Sequence, residues 1–245
     1  MIKFEHTVTP SPEQLMFVIE GMRNPMESWD KTDSGFEYDV LTHGSKFIIG
    51  PNDRDLMKRL CKAGSDERKF MRQMPVMVRI TAPLYWWKEF DTYKVGTVSN
   101  SCSTMHKIHA HPFSLEDFSC EHLIGRSDDK KLTADIDANG EVVLYNCAPR
   151  DILELTINEL NFYRKEFIHE TDEETKKELW WQMIQLLPSS YNQTRNITLN
   201  YEVLHNMYHA RKYHKQDEWR IGFCDWCKTL PYSELITEEW EETNE

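Results

Sequence analysis

The strongest constraint on the fold is a short run in which apolar and polar side chains alternate before a proline. The apolar positions of this run are Val76, Val78, Ile80 and Ala82. Alternation with a period of two predicts a β-strand with one buried face. Pro83 has no N–H to donate and therefore ends the ladder. The chain must accordingly build a core against one face of this strand.

The segment that follows, residues 84–106, combines flat aromatic rings with many short hydrogen-bonding groups. Its rings belong to Trp86, Trp87, Phe90 and Tyr93. A buried hydroxyl without a partner costs about 1–3 kcal/mol, so a purely structural loop has little use for so many polar groups. We therefore interpret the segment as part of a binding site. The alternative is a partly buried core segment whose polar groups cap neighbouring elements.

The charge balance and the low glycine content exclude several classes of function. The chain has 29 Lys and Arg against 41 Asp and Glu, a net charge of −12. This excess would repel a phosphate backbone, so we expect no nucleic-acid partner. A small phosphate-bearing ligand remains compatible, because its pocket needs only two or three local cations. Neither GxGxxG nor GxxxxGK[ST] occurs, which sets aside Rossmann and P-loop functions.

Length and hydropathy predict a single domain, residues 1–245, that does not enter a membrane. A chain of 245 residues can bury a sizeable core. The N-terminus has no apolar run typical of a signal peptide, and no stretch approaches the roughly 20 apolar residues needed to span a bilayer. We expect a soluble, cytoplasmic protein.

Cysteine and histidine residues form no convincing metal motif. Cys224 and Cys227 form a CxxC, but only Cys120 and His122 approach a second ligand pair. Histidines cluster over residues 106–111 without an HExxH pattern. Packing on one helical face explains the cysteine pair more simply, and we predict no metal.

Local signals predict the order of several elements. Ser11, Pro12 and Gln14 have the pattern of a capping box that opens a helix. Helical periodicity covers residues 151–187 in two pieces and residues 199–229 in one long helix. The latter would place Arg211 and Arg220 on related faces. A β-hairpin is predicted within residues 130–147, where it is interpreted as an insertion.

Two separated motifs carry a resemblance to a known family. The first begins with Ile80-Thr81-Ala82-Pro83, continues through Thr92-Tyr93-Lys94-Val95-Gly96-Thr97 and ends in residues 100–105. The second comprises Leu187-Pro188, Thr194, Asn200, Leu204, Arg211, Gln216, Glu218 and Arg220. Together they resemble the flavin-dependent thymidylate synthases, whose signature is RHRxxSxNExSxR, followed by an LP…T…N…L…R…QxExR pattern.

The resemblance implies a fold and a reaction. The implied fold is α/β (α+β), a mixed sheet flanked by helices, assembled as a homotetramer with active sites between subunits. The implied reaction is the reductive methylation of dUMP to dTMP. Methylenetetrahydrofolate donates the carbon, reduced FAD supplies the hydride and NADPH re-reduces the flavin.

The resemblance also implies roles for individual residues. Arg220 would be catalytic, holding dUMP and polarising its uracil. The remaining substrate contacts would be Ser101, Ser103, Arg211 and Gln216. The flavin contacts would be Thr92, Tyr93, Lys94, Thr97 and Asn200. A planar guanidinium suits the role of Arg220, since it can stabilise negative charge developing on a carbonyl oxygen.

The first motif departs from the family signature. Its Arg-His-Arg is replaced by Thr92-Tyr93-Lys94, which keeps one cation. With one inserted residue, Ser101 and Met105 stand at the signature's Glu and final Arg; without it, Asn100 and Thr104 do. Two alternatives follow: a relative that binds a pyrimidine nucleotide without synthase activity, or one that makes another C5 modification.

Overall fold

The computed structural model describes residues 2–39, 44–125, 134–136, 138–144 and 148–239. The strands are β1 (Lys3–Val8), β2 (Gly35–Asp39), β3 (Gly44–Ile48), β4 (Pro75–Pro83), β5 (Val98–Ser101), β6 (Ala134–Ile136), β7 (Val142–Leu144) and β8 (Asn192–Asn200). The α-helices are α1 (Pro12–Arg23), α2 (Pro51–Lys62), α3 (Leu84–Phe90), α4 (Thr104–Lys107), α5 (Pro149–His169), α6 (Glu173–Leu186), α7 (Tyr201–Arg211), α8 (Cys224–Lys228) and α9 (Glu234–Thr237). The predicted α+β class is confirmed.

The chain divides into two compact units. One, here called the helical unit, comprises residues 81–88 and 101–194. The other, here called the sheet unit, comprises residues 2–80, 89–100 and 195–239 of the described chain. The expectation of a single domain over 1–245 stays a prediction.

The strand predicted first is an inner element of the four-stranded sheet, whose order is β1-β4-β8-β5. In β4, Val76, Val78 and Ile80 are buried, whereas Met77 and Arg79 between them are exposed. This is the predicted alternation, and it fixes which face of the strand meets the core. The register of β4 is therefore set by its own apolar pattern.

Helix α1 begins as the sequence predicts. Ser11 Oγ accepts from the Gln14 backbone N–H at 3.3 Å, and Gln14 Oε1 accepts from the Ser11 N–H at 2.9 Å. Pro12 occupies the first turn, where a missing N–H costs nothing. The capping box and Pro12 therefore fix the start of the helix, while burial of Leu15 and Val18 fixes its orientation.

Asp53 lies in the first turn of α2, whose N-cap is Gly50. Its carboxylate is fully buried and accepts from Arg23 Nε at 2.7 Å, Thr32 Oγ1 at 2.7 Å and Ser34 Oγ at 2.6 Å. Burial by itself would raise the pKa of Asp53, but the hydrogen bonds from Ser34, Thr32 and Arg23 outweigh it and lower the pKa. The start of α2 is thus tied to the loop before β2.

In the helical unit, α5 and α6 pack against each other around one apolar cluster. Its buried members are Ile108, Phe113, Phe118, Leu153, Ile157, Leu160 and Met183. The charged run between the two helices is mostly exposed, and Asp172 caps α6 by accepting from the Thr175 N–H at 2.9 Å. The two-piece helical prediction for residues 151–187 is confirmed.

Two antiparallel hairpins lie outside the main sheet. Strand β2 pairs with β3, and β6 pairs with β7 in a register that joins Ala134 to Leu144. The second is the hairpin predicted within residues 130–147. Residues 130–133, 137 and 145–147 of that prediction lie outside the described residues.

The prediction of one helix over residues 199–229 is wrong. Helix α7 ends at Arg211, residues 212–216 are not helical, and Glu218–Phe223 form a π-helix that continues into α8. The physical reason lies in the hydrogen bonds at the break: the His214 N–H donates to the Arg211 carbonyl oxygen at 2.9 Å and the Gln216 N–H to His214 Nδ1 at 3.2 Å, in place of i→i−4 helical bonds. Helical spacing therefore does not relate Arg211 to Arg220.

The described residues contain no helix that is both long enough and apolar enough to cross a bilayer. The cytoplasmic location expected from the sequence stays a prediction.

His205 on α7 is buried against a cation and a carbonyl. Arg68 Nη1 lies 3.2 Å from its Nε2, and its Nδ1 lies 3.2 Å from the Ile236 carbonyl oxygen. Since arginine can only donate, Nε2 accepts and the ring is the neutral tautomer with its proton on Nδ1. Burial, followed by His209 and Arg68, lowers the pKa of His205 to about 4.

This histidine should make stability fall on acidification. The unfolded state binds a proton near pH 6.5 and the folded state only near pH 4, so stability is complete above pH 6.5 and is lost between these values. The full shift corresponds to roughly 3 kcal/mol. Urea unfolding of the wild type and of His205→Gln at pH 7 and pH 4.5 should show a smaller loss in the variant. Equal losses would contradict the assignment.

Candidate functional site

A loop that follows α3 carries the first motif and is held by its own hydrogen bonds. Thr92 Oγ1 donates to the Glu89 carbonyl oxygen at 2.7 Å, and Thr97 Oγ1 donates to the Tyr93 carbonyl oxygen. Gly96 has φ +76°, in the left-handed region that favours glycine. A Cβ there would lie 2.9 Å from Val203 Cγ2, so the glycine also lets the loop approach α7.

Arg211, at the end of α7, is fixed by this loop on several sides. Its Nη1 forms an ion pair with Glu89 Oε2 at 3.1 Å, and its Nε donates to the Tyr93 hydroxyl at 2.9 Å. The guanidinium carbon lies 5.0 Å from the Trp219 ring centroid and 5.5 Å from that of Tyr93. We call Glu89, Tyr93, Arg211, His214 and Trp219 the Arg211 cluster.

His214 links the cluster to Gln216. Its Nδ1 accepts from the Gln216 backbone N–H at 3.2 Å, and its Nε2 lies 3.3 Å from Glu89 Oε2. Because Nδ1 accepts, the proton of the neutral ring lies on Nε2, which is close to the carboxylate without forming a hydrogen bond to it. Glu89 is therefore shared by Arg211 and His214, which keeps both side chains on one side of the carboxylate.

Gln216 has a buried carbonyl oxygen, Oε1, with no hydrogen-bond partner within the part of the chain that the structure describes. A buried acceptor without a donor costs about 1–3 kcal/mol. Such a group is retained at a cost in stability, and a bound donor would remove that cost. Gln216 Oε1 is thus a candidate contact for a ligand.

The π-helix separates buried from exposed members of the second motif. Glu218 and Trp219 are buried, whereas the Arg220 side chain is 51% exposed and pairs with Asp217 at 2.6 Å. An exposed pair at this spacing contributes about 0–1 kcal/mol, so a ligand can displace it cheaply. π-Helical turns are frequent at functional sites.

The structure brings together only some of the residues predicted from the motifs. Tyr93, Arg211 and Gln216 belong to the Arg211 cluster or contact it, and the loop that holds Thr92, Lys94 and Thr97 passes beside Asn200. The Asn200 side chain caps α7 by accepting from the Val203 N–H at 3.0 Å. Their binding roles stay predictions.

Two predicted substrate contacts belong to the helical unit. Ser101 is exposed at the end of β5, and Ser103 is the N-cap of α4, where its Oγ accepts from the His106 N–H at 3.1 Å. Neither side chain shows a contact that favours or disfavours a phosphate, so their substrate roles also stay predictions.

Sequence reasoning missed Glu89 and His214. Each is an ordinary polar residue in its local sequence, and both gain their role only from Arg211, a residue far from Glu89 in the chain. No motif or periodicity could have indicated this pairing. Among the residues described, no group of three or more His, Cys, Asp or Glu side chains could hold a metal ion.

Removing the unpaired oxygen of Gln216 should not destabilise the protein. Gln216→Met keeps the size of the side chain and deletes the acceptor, so the free energy of unfolding should stay unchanged or rise by about 1 kcal/mol. Gln193→Met is the matched control, because Gln193 Nε2 donates to the Cys102 carbonyl oxygen at 2.9 Å and its loss should cost about 1 kcal/mol. Denaturant unfolding compares them, and a clearly destabilised Gln216 variant would refute the unpaired state.

Known proteins match this chain in structure but not in sequence. No protein-family model matches the chain, and no curated protein matches it by sequence. Solved structures do match over nearly the whole chain. Two are flavin-dependent thymidylate synthase ThyX from Helicobacter pylori with FAD and dUMP, both at a TM-score of 0.57. Their sequences are 13% and 12% identical to this chain. The matches cover 96% and 97% of this chain and 94% and 99% of the respective synthase chains.

A third match is the UMP/dUMP methylase PolB from Streptomyces cacaoi, bound with 5-Br dUMP. Its TM-score is 0.54 at 13% identity, and the match covers 96% of this chain and 93% of that one. The sequence resemblance is therefore confirmed at the level of architecture: this chain has the fold of the flavin-dependent thymidylate synthases and of the related methylase.

Proposed function

We propose that this chain is a divergent flavin-dependent thymidylate synthase, which methylates dUMP at C5. The observation that carries the proposal is the contact between the two motifs. Tyr93 of the first and Arg211 of the second stand 118 positions apart and share a hydrogen bond of 2.9 Å. Motifs identified separately in the sequence thus meet in space, as parts of one site would.

The ligands of the structural matches support a pyrimidine nucleotide as substrate. The Helicobacter pylori structures contain FAD and dUMP, and the methylase structure contains 5-Br dUMP. Gln216 Oε1 offers an unpaired acceptor, which suits the N3–H donor of a uracil ring. A ligand that supplied this donor would remove the cost of the buried oxygen, and so gain affinity.

Arg220 is the residue to which we assign the chemistry. Its weak surface pair with Asp217 leaves the guanidinium free to turn toward a ligand. There it would hydrogen-bond a uracil carbonyl and stabilise the negative charge that develops on that oxygen. Arg211 has a different role, because Glu89 and Tyr93 already hold its guanidinium in place. Arg211 would hold Glu89 and Tyr93 in position and would not reorient when a ligand binds.

The loop of the first motif fits a bound flavin nucleotide. Lys94 is exposed and has no acidic partner in the described part of the chain, so it can pair with a diphosphate. Together with Thr92, Tyr93, Thr97 and Asn200 it would hold FAD. When bound and reduced, FAD would supply the hydride. Methylenetetrahydrofolate as carbon donor, NADPH as reductant, and a homotetramer with sites between subunits complete the proposal.

Three buried cysteines are unsuited to act as a thiolate nucleophile. Burial raises the pKa of Cys61 to about 12 and that of Cys224 to about 11, and it raises the pKa of Cys227 as well. These three thiols therefore stay protonated near neutral pH and are poor nucleophiles.

Bound flavin is the first expectation to test. The absorbance spectrum of the purified protein with added FAD should shift when dUMP is supplied, because both ligands would occupy one site. Uridine serves as the control ligand, since it lacks the phosphate. A protein that neither retains FAD nor changes its spectrum would exclude the synthase and leave a nucleotide-binding relative without this activity.

Arg220→Ala should abolish most of the C5 chemistry without unfolding the chain. Loss of one electrostatic stabiliser costs about 10²–10³ in rate, and the exposed side chain contributes little to stability. The assay is tritium release from [5-³H]dUMP. Arg59→Ala is the matched control, because Arg59 is 64% exposed and paired on one helix with Asp55. Equal rates in both variants would remove Arg220 from the mechanism.

A second candidate function is another C5 modification or a different pyrimidine substrate. The match to a UMP/dUMP methylase favours it, since the same fold supports that chemistry. Parallel tritium-release assays with 5-³H-labelled UMP and dUMP distinguish the two functions. Tritium release from UMP at a rate comparable to that from dUMP would favour the methylase, and release from dUMP alone would favour the synthase.

A further inference from the structure

The helical unit contains a groove that none of the proposed roles uses. It has a volume of about 550 Å³ and is lined by Met105, His106, His109, Phe167, Glu173, Lys176, Lys177 and Trp180. We call it the Lys176 groove. It shares no residue with the Arg211 cluster, and its volume lies in the range of about 300–1,000 Å³ that is typical of small-molecule sites.

The charge in this groove is opposite to that of the whole chain. Lys176 and Lys177 line it, and neither forms an ion pair in the part of the chain that the structure describes, while Glu173 is the one acid in the lining. Two unpaired ammonium groups in a chain of charge −12 provide a local site for an anion.

Aromatic surfaces lie beside these cations. The Lys176 ammonium lies 5.4 Å from the centroid of the Phe167 ring. The centroids of the His109 and Phe167 rings are 4.6 Å apart. Trp180 is fixed by donating from Nε1 to the Met105 carbonyl oxygen at 2.9 Å. A fixed indole and a phenyl ring give the groove flat apolar faces on which a planar ligand can stack.

The walls are joined by hydrogen bonds, so the groove is preformed. Trp180 links α6 to α4, and Arg164 Nε on α5 donates to the His109 carbonyl oxygen at 2.9 Å. Burial and then the cations Lys107, Arg164 and Lys176 lower the pKa of His109. The lowered pKa keeps the His109 ring neutral near pH 7 and able to stack.

We propose that the Lys176 groove binds a small anion attached to a planar aromatic ring. The ring lies against Phe167 and Trp180, and its phosphate or carboxylate group pairs with Lys176 and Lys177. The binding needs both parts, since an exposed ion pair alone contributes little and stacking alone gives only weak affinity. The groove borders Ser103, whose Oγ accepts from the His106 N–H at 3.1 Å, but ligand binding in the groove does not depend on the proposed synthase function.

The test measures binding to the full-length protein by calorimetry with four probes. AMP presents a ring with a phosphate, p-aminobenzoylglutamate a ring with carboxylates, and adenosine and inorganic phosphate present one part each. AMP should bind at least about tenfold more tightly than adenosine or inorganic phosphate, the two parts that it joins, and p-aminobenzoylglutamate tests whether a different ring with carboxylates also binds. Equal affinity for complete and partial probes would overturn the proposal.

Substitutions of charged residues that line the groove test whether the probes bind there. Lys176→Gln should weaken the better probe about threefold to fivefold, whereas Glu173→Gln should tighten it about threefold, because it removes the one opposing charge. Far-UV circular dichroism of each variant checks that it is folded. Lys165→Gln, on the exposed face of α5, is the matched control and should change nothing.

Arg220→Ala separates this site from the synthase function, since it should leave the probe affinity unchanged while it lowers tritium release. Photolabelling with 8-azido-AMP should then mark peptides from residues 167–180. Labelling confined to residues 89–107 or 211–220, or a loss of affinity in Arg220→Ala, would assign the binding to the nucleotide site and refute the groove.

Discussion

The ion pair between Arg211 and Glu89 is the interaction on which the rest of the candidate site depends. Both side chains are partly shielded, at 18% and 34% exposure, so their attraction is screened less than that of a surface pair. The arginine also needs the Tyr93 hydroxyl and the Trp219 ring to satisfy its remaining surface. Removal of either charge would leave the other partly buried without compensation. The loop after α3, His214 and the π-helix would then lose contacts that they make with this pair.

Much of the fold could be predicted from the sequence, because it is encoded locally. The alternation in β4 and the capping box at Ser11 are signals within a few residues, and each element formed where its signal indicated. The single long C-terminal helix failed for the converse reason. Its periodicity is helical on both sides of residues 212–216, and the interruption lies where His214 contacts Glu89, a residue far away in the chain.

The candidate site was only partly accessible to sequence reasoning. Resemblance indicated Tyr93, Arg211 and Gln216, since motif residues can be recognised without knowing their contacts. Glu89 could not be found this way, because a carboxylate becomes a partner of an arginine only when folding brings them together. The Lys176 groove could not be predicted from the sequence for a similar reason. A run of charges on a helix is typical of a solvated face, and only the folded structure shows that Phe167 lies beside Lys176.

The π-helix has a consequence for the residues that come after it. Its wider turn changes the angular phase of the helix, so α8 starts about one residue out of step with an uninterrupted α-helix. In this phase Trp226 stacks on Phe4, with ring centroids 4.7 Å apart and planes 7° from parallel. Deleting one residue from the turn would rotate that indole by about 100° away from Phe4. The spacing between Arg220 and Trp226 is therefore fixed by the N-terminal strand, and length changes in this segment are far less tolerable than substitutions.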